Sequence, residues 1–293
     1  MSGSSEAKLD AAFAHCLEEL RRADPDRAVA LAFAPADAQG PLAALYAFDR
    51  ETASVRDHVN QALPGEIRLQ WWRDRLASDA VDPLAAGEGS PVAGAFMATM
   101  RRFDLPVAIA ERLIDARIFD LYDDTMPDRT ALEAYAGETA STILMLAAMI
   151  LDRNAAQRCA DIAGHAGVAL TIATVLERGV TRPERAQAFV PDEIFEAAGV
   201  TRAQWAAEPS QDSPVTQALM ALATEHHAKA RRLWPALPRS VRPAFLPVTL
   251  VPARLQAAAG AIGSRPASPP RGVGPFRRSF LYWRALRARQ TTA

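Results

Sequence analysis

Residues 37–60 read DAQGPLAALYAFDRETASVRDHVN, and within them Leu42, Leu45, Tyr46, Phe48, Thr52 and Val55 recur at spacings of three and four. Side chains three and four apart lie above one another on a helix, so this stretch predicts a helix with one buried face. The same period predicts helices at 10–23, 66–76, 91–103, 106–122, 130–151, 154–176, 214–234 and 276–289, and a short one within 190–200. Asp24-Pro25, Leu63-Pro64-Gly65 and the Asp-, Gly- and Pro-rich loop 78–90 are the expected breaks. Alanine, leucine and arginine dominate while β-branched runs are scarce. The fold class that follows is all-α.

The chain has 293 residues, 49% of them hydrophobic, enough to bury a large core and too apolar for a disordered chain. Its 33 basic and 34 acidic side chains nearly cancel, which excludes a general nucleic-acid binder. The balance is uneven along the chain. After Glu225 there is no Asp or Glu, while Lys229 and twelve Arg give that stretch a side-chain charge of +13 against −14 for the remainder. Such a split predicts that the C-terminal part meets an anionic surface, either the acidic body of the same molecule or membrane lipid.

The terminal helix sharpens that expectation. Phe276, Phe280 and Trp283 share a stripe with Arg277, Arg278, Arg284 and Arg287 around it. This reads as an interfacial membrane helix, or else as a stripe that closes the bundle with solvated arginines. Residues 1–20 carry Glu6, Asp10, Glu18 and Glu19 without a basic-then-apolar pattern, and the most apolar window, 139–151, is shorter than the roughly 20 residues that span a bilayer. The expected location is the cytoplasm, with peripheral contact at the inner membrane.

Common catalytic signatures are missing: no Gly-rich phosphate loop, no G-x-S-x-G, no H-E-x-x-H and no cysteine cluster. Cys16 and Cys159 read as reduced core thiols, and His226-His227, pointing about 100° apart on a helix, as a surface pair. His165, between Gly164 and Gly167, either orients a ligand or is a hydrogen-bonded core histidine. Trp71 and Trp72 cannot both face inward. Arg117 and Asp120 form an i, i+3 ion pair or serve a pocket, and Asp123-Asp124 reads as a helix end.

Four segments, in order, carry a family resemblance: Leu45-Tyr46-Ala47-Phe48-Asp49-Arg50 leading to Asp57; Gly65-Glu66-Ile67-Arg68-Leu69-Gln70-Trp71-Trp72-Arg73; Arg117 to Leu121 followed by Tyr135-Ala136-Gly137-Glu138-Thr139-Ala140-Ser141; and Gly164 to Leu176 running on to Phe189-Val190-Pro191. Together they resemble the squalene/phytoene synthase family of head-to-head prenyl synthases over about residues 24–283. The resemblance implies one isoprenoid-synthase helical bundle over 1–293 around a deep apolar pocket, while the Gly-, Pro- and Ser-rich composition of 260–275 predicts a flexible linker there. It also nominates Tyr46, Arg50, Arg68, Gln70, Arg117, Asp120, His165, Thr171 and Thr174 as ligand-facing candidates.

Catalytic members of that family hold Mg²⁺ between two Asp-rich clusters to ionise an allylic diphosphate. The resemblance places the first cluster at Ala53, Ser54 and Asp57 and the second at Arg178, Thr181 and Arg182. Asp57 is either a surviving metal ligand or a helix-surface carboxylate paired with Arg50 or Arg56. With these losses, and in its Arg68-to-Trp72, Tyr135-to-Ser141 and Pro243-to-Pro247 stretches, the sequence is similar to the branch containing the mitochondrial assembly factor for respiratory complex I. The expectation is a non-catalytic protein that binds a prenyl diphosphate, a lipid-like ligand or a respiratory-complex assembly partner. The alternative is an active Mg²⁺-dependent head-to-head prenyltransferase. Lys8 and Lys229 are the only lysines, an arginine bias that points to a bacterial, GC-rich source.

Overall fold

The computed structural model describes residues 2–122, 124–264 and 272–288. Among them there are helices and no strands. The helices are α1 (Ser2–Ala23), α2 (Pro25–Leu31), α3 (Ala36–His58), α4 (Ala62–Leu76), α5 (Pro83–Ala86), α6 (Pro91–Arg102), α7 (Val107–Phe119), α8 (Arg129–Ala136) and α9 (Thr142–Leu151). They continue with α10 (Arg153–Ala156), α11 (Ala160–Thr181), α12 (Pro183–Ala186), α13 (Asp192–Ala198), α14 (Arg202–Ala207), α15 (Pro214–Leu233), α16 (Arg242–Phe245), α17 (Val251–Ala261) and α18 (Pro275–Arg287). A π turn, Gly137–Ser141, lies between α8 and α9. These elements fall into two compact units, the first comprising 1–122, 142–157 and 240–244 and the second 123–141, 158–239 and 245–293.

In the first unit, α3 is the hub, packing on α1, α4, α6 and α9. Its stripe meets an aromatic cluster: Phe48 stacks on Phe96 at 4.1 Å and receives the edge of Trp72 at 4.9 Å. Such pairs add about 0.5–1.5 kcal/mol to the burial of the rings themselves. Trp72 is the inward tryptophan. Trp71 is half-buried, with the Arg68 guanidinium 4.6 Å over its ring. Gly40 lets α1 approach α3, since a Cβ there would sit 2.9 Å from the Phe13 ring.

In the second unit α11 lies against α15, α17 and the π turn. Gly167 makes the last contact possible, because a Cβ would come within 2.7 Å of the Ser141 backbone nitrogen. The helical stretches Arg129–Leu151 and Ala160–Thr181 have the length and apolarity to cross a membrane, and 50% and 61% of their most apolar windows are buried inside the protein. Burial of that extent is the pattern of core helices.

Several sequence-based boundaries move. The first helix begins at Ser2 rather than residue 10. Pro64 does not break the chain but sits in the first turn of α4, where a missing N–H costs nothing. The helix expected at 130–151 is interrupted by the π turn, and that at 154–176 is divided into α10 and α11 by a turn that buries Cys159. His226 and His227 are buried rather than a surface pair, because α15 is enclosed along two of its faces. The aromatic stripe of the terminal helix does not close the bundle: α18 buries Tyr282 and Arg278, and leaves Phe276, Phe280 and Trp283 exposed. Residues 265–271 of the linker expected at 260–275, and Asp123, lie outside the described residues; α17 itself reaches Ala261 and α18 begins at Pro275.

The close approach at Gly167 predicts a contrast within α11. Gly167→Ala should destabilise by about 1–3 kcal/mol, because backbone rather than a flexible side-chain end must move. Gly164→Ala, whose Cβ would meet nothing within 4 Å, should be neutral or stabilising by up to about 1 kcal/mol. Urea unfolding of the two variants measures the difference.

Candidate functional site

In the first unit the candidate residues gather around a buried carboxylate. Asp49 lies on the buried face of α3, 6% exposed. It accepts hydrogen bonds from Arg27 Nη1 at 2.7 Å and Arg117 Nη2 at 2.8 Å. Arg117 Nη1 also reaches Asp120 Oδ2 at 3.5 Å, and Arg27 lies 4.8 Å from the centre of the Tyr46 ring. Asp24 caps α2 by accepting from the Arg27 backbone N–H, which sets Arg27 at the start of that helix. Burial by itself would raise the Asp49 pKa, but the two guanidinium groups outweigh it and hold the carboxyl below its ordinary range. Burial pushes the Tyr46 phenol up to about 12, so it is neutral and a donor at neutral pH.

Tyr46, Arg117 and Asp120 thus belong to one network, and Arg117 with Asp120 does form the i, i+3 pair. Arg50, Arg68, Gln70 and Asp57 are exposed. Arg68 pairs with Glu51 at 3.2 Å, and Gln70 donates to Asp74 at 2.8 Å. The Ser54 hydroxyl donates back to the Glu51 carbonyl, and Ala53 has no ligating atom. The sequence reading missed Asp49 and Arg27. Its signal was present: Asp49 is four residues after Leu45 and three before Thr52, a charge inside an otherwise buried stripe.

In the second unit His165 and His226 face one another, Nδ1 to Nδ1 at 3.2 Å, so one ring donates and the other accepts. Glu133 Oε1 lies 3.4 Å from His226 Nε2. Burial, helped by His165 and Lys229, outweighs Glu133 and lowers the His226 pKa; burial, with Arg231, does the same for His227. Thr171 is buried, whereas Thr174 is exposed and accepts a hydrogen bond from Arg254 Nη2 at 3.1 Å. At the end of α11, Arg178 lies 5.6 Å from the Phe189 ring centre. The Thr181 hydroxyl donates to the Arg178 carbonyl at 3.4 Å, and Arg182 is the C-cap. Glu177, the nearest carboxylate on this turn, is engaged by Arg254 through two bonds of 2.6 and 2.8 Å.

The six positions that the resemblance assigns to metal binding therefore carry one carboxylate, two guanidinium groups, two hydroxyls and a methyl. Mg²⁺ requires several hard oxygen ligands and is repelled by arginine, so this donor set does not fit it. Among the described residues, no three His, Cys, Asp or Glu side chains converge where a metal ion could sit. A groove of 590 Å³ opens between α13 and α15, lined by Ile194, Ala197, Ala218 and Leu222 with Arg129, Glu193 and Glu225 among its polar residues. None of the candidate residues lines it.

Removing the Asp49 charge should be costly. Asp49→Asn removes the buried anion that Arg27 and Arg117 share, leaving the longer contacts to Asp24 and Asp120, and should destabilise by about 3 kcal/mol, whereas exposed Arg50→Ala should cost no more than about 0.5 kcal/mol. Because the folded pKa of Asp49 is lowered, its contribution is present above the ordinary carboxylate pKa near ~4 and disappears as pH falls through the folded value. Denaturant unfolding across acidic pH should show the gap between wild type and Asp49→Asn narrowing below that point.

Comparison with known proteins places this geometry in a lineage. The family model for squalene/phytoene synthase matches residues 20–263. A rat (Rattus norvegicus) protein described as NADH dehydrogenase (ubiquinone) complex I, assembly factor 6 is 30% identical over 236 residues, which span 79% of this chain and 69% of that protein. Among solved structures, a dehydrosqualene synthase superposes with a TM-score of 0.75 at 17% identity, over 96% of this chain and 97% of that one. The squalene synthase HpnC of Alicyclobacillus acidocaldarius gives a TM-score of 0.66 at 21% identity, over 89% and 97%. The all-α architecture and the sequence motifs agree with both comparisons, and the chain belongs to the squalene/phytoene synthase family.

Proposed function

We propose that the protein is a non-catalytic member of its family that assists assembly of a membrane respiratory complex of the NADH dehydrogenase type, acting from the cytoplasmic side. The similarity to the rat assembly factor, extending over 79% of this chain, carries this reading. The donor set supports it: with Arg178 and Arg182 where the resemblance expects carboxylates, metal-assisted ionisation of a diphosphate has too few ligands. Arginine instead binds phosphate directly through paired N–H donors. The retained scaffold then holds a prenyl diphosphate or lipid-like ligand without turning it over.

Two measurements separate the parts of this reading. Deleting the gene in its host should lower the amount of assembled NADH dehydrogenase complex on native gels, and the wild-type gene and an Asp57→Asn variant should both restore it. Unchanged complex abundance in the deletion strain would count against the assembly role. For the ligand, calorimetric titration with farnesyl diphosphate in EDTA should give binding that weakens at least about tenfold in Arg178→Ala/Arg182→Ala, since charge-assisted bonds of about 1.5–3 kcal/mol each are lost. No heat with wild type would sink the ligand reading. Formation of a head-to-head prenyl product in the presence of Mg²⁺ and NADPH would instead establish the active prenyltransferase.

A further inference from the structure

We infer that the outward face of α18 is a docking surface for an anionic lipid bilayer. This rests on the geometry of the helix and stands apart from the assembly reading. At about 100° per residue, Phe276, Phe280 and Trp283 fall within about 60° of one another. Their exposures are 91%, 56% and 44%. Arg278 and Tyr282, on the opposite side, are buried. The helix is therefore held by one face and presents the other.

What holds it is specific. Tyr282 is fully buried, α18 packs along residues 246–250, and Trp234 Nε1 donates to the Ala285 carbonyl at 3.2 Å. The outward rings are ordered on one another: Phe280 and Trp283 stack at 6.1 Å, and the Arg287 guanidinium covers Trp283 at 4.5 Å. Arg277 and Arg284 project at the side of the stripe, about 60–100° from its centre. An amphipathic helix lying in a lipid interface needs this arrangement, with aromatic rings at the acyl boundary and arginines reaching the phosphates.

Charge selects lipid over other occupants. From His226 onward the chain has no acidic side chain, so nothing in that stretch offsets the arginines. A second copy placed face to face would bring Arg277, Arg284 and Arg287 against their own equivalents, which like-charge repulsion disfavours. An anionic headgroup layer satisfies both the rings and the cations.

The test is flotation of the full chain with vesicles of phosphatidylcholine alone and of phosphatidylcholine mixed with phosphatidylglycerol. Wild type should float with the mixed vesicles, not with phosphatidylcholine alone, and should be released by salt. Phe276→Ser/Phe280→Ser/Trp283→Ser should lower partitioning at least about tenfold while keeping the wild-type melting temperature, because the three rings are exposed. Arg277→Glu/Arg284→Glu should lower it by at least about fivefold per reversed charge. If the triple variant loses its helical circular dichroism, the charge-reversal variant decides. Failure of wild type to float with anionic vesicles, or flotation that neither variant changes, overturns the proposal. Light scattering that shows a dimer dissolved by the triple variant, without flotation of wild type, assigns the face to a second copy instead.

Discussion

A carboxylate that folds onto the apolar face of a central helix must bring its cations with it, and Asp49 imposes that condition on the first unit. Taking the charge out of water is repaid only by close, well-directed partners. Arg27 comes from the start of α2 and Arg117 from the last turn of α7. The three helices are thereby tied at one point, and the Asp24 cap, the Tyr46 ring and Asp120 are arranged around the same pair of guanidinium groups. Apolar packing between Phe48, Phe96 and Trp72 supplies cohesion without fixing direction. The ion network supplies the direction.

The second unit is organised by shape. The π turn lies against α11 at Gly167, where a side chain would run into the Ser141 backbone. Behind it, α15 buries two consecutive histidines, and His226 satisfies its ring through His165 and Glu133. Polar groups here are paired locally, in twos and threes, and arginines rather than carboxylates dominate the C-terminal turn of α11.

The all-α class, the α3 stripe, the inward turn of one tryptophan and the family itself were legible in the sequence, because each depends on local period or on ordered motifs. What was not legible depends on tertiary surroundings. His226 and His227 are buried because α15 is enclosed on more than one side, and adjacent residues on a helix carry no periodicity that announces this. The π turn, Gly137-Glu138-Thr139-Ala140-Ser141, directly precedes the apolar run of α9 and carries no break signal that sets it apart from ordinary α-helix. Arg27 is far from Asp49 along the chain, and only folding reveals that the two meet. In α18 the sequence showed both faces but not which one the protein would cover; Tyr282 and the Trp234–Ala285 bond determine that choice.

The two cysteines, noted above only as core thiols, are distributed one to each unit: Cys16 in the first and Cys159 in the second, both fully inaccessible. Burial pushes the Cys16 thiol up to about 12, so in the folded protein it is neither reachable nor ionised at neutral pH. Alkylation of either sulfur must therefore wait for its own unit to open. The chain carries a built-in clock for each half, and the two labelling rates report how far the halves breathe independently and how far they unfold as one cooperative body.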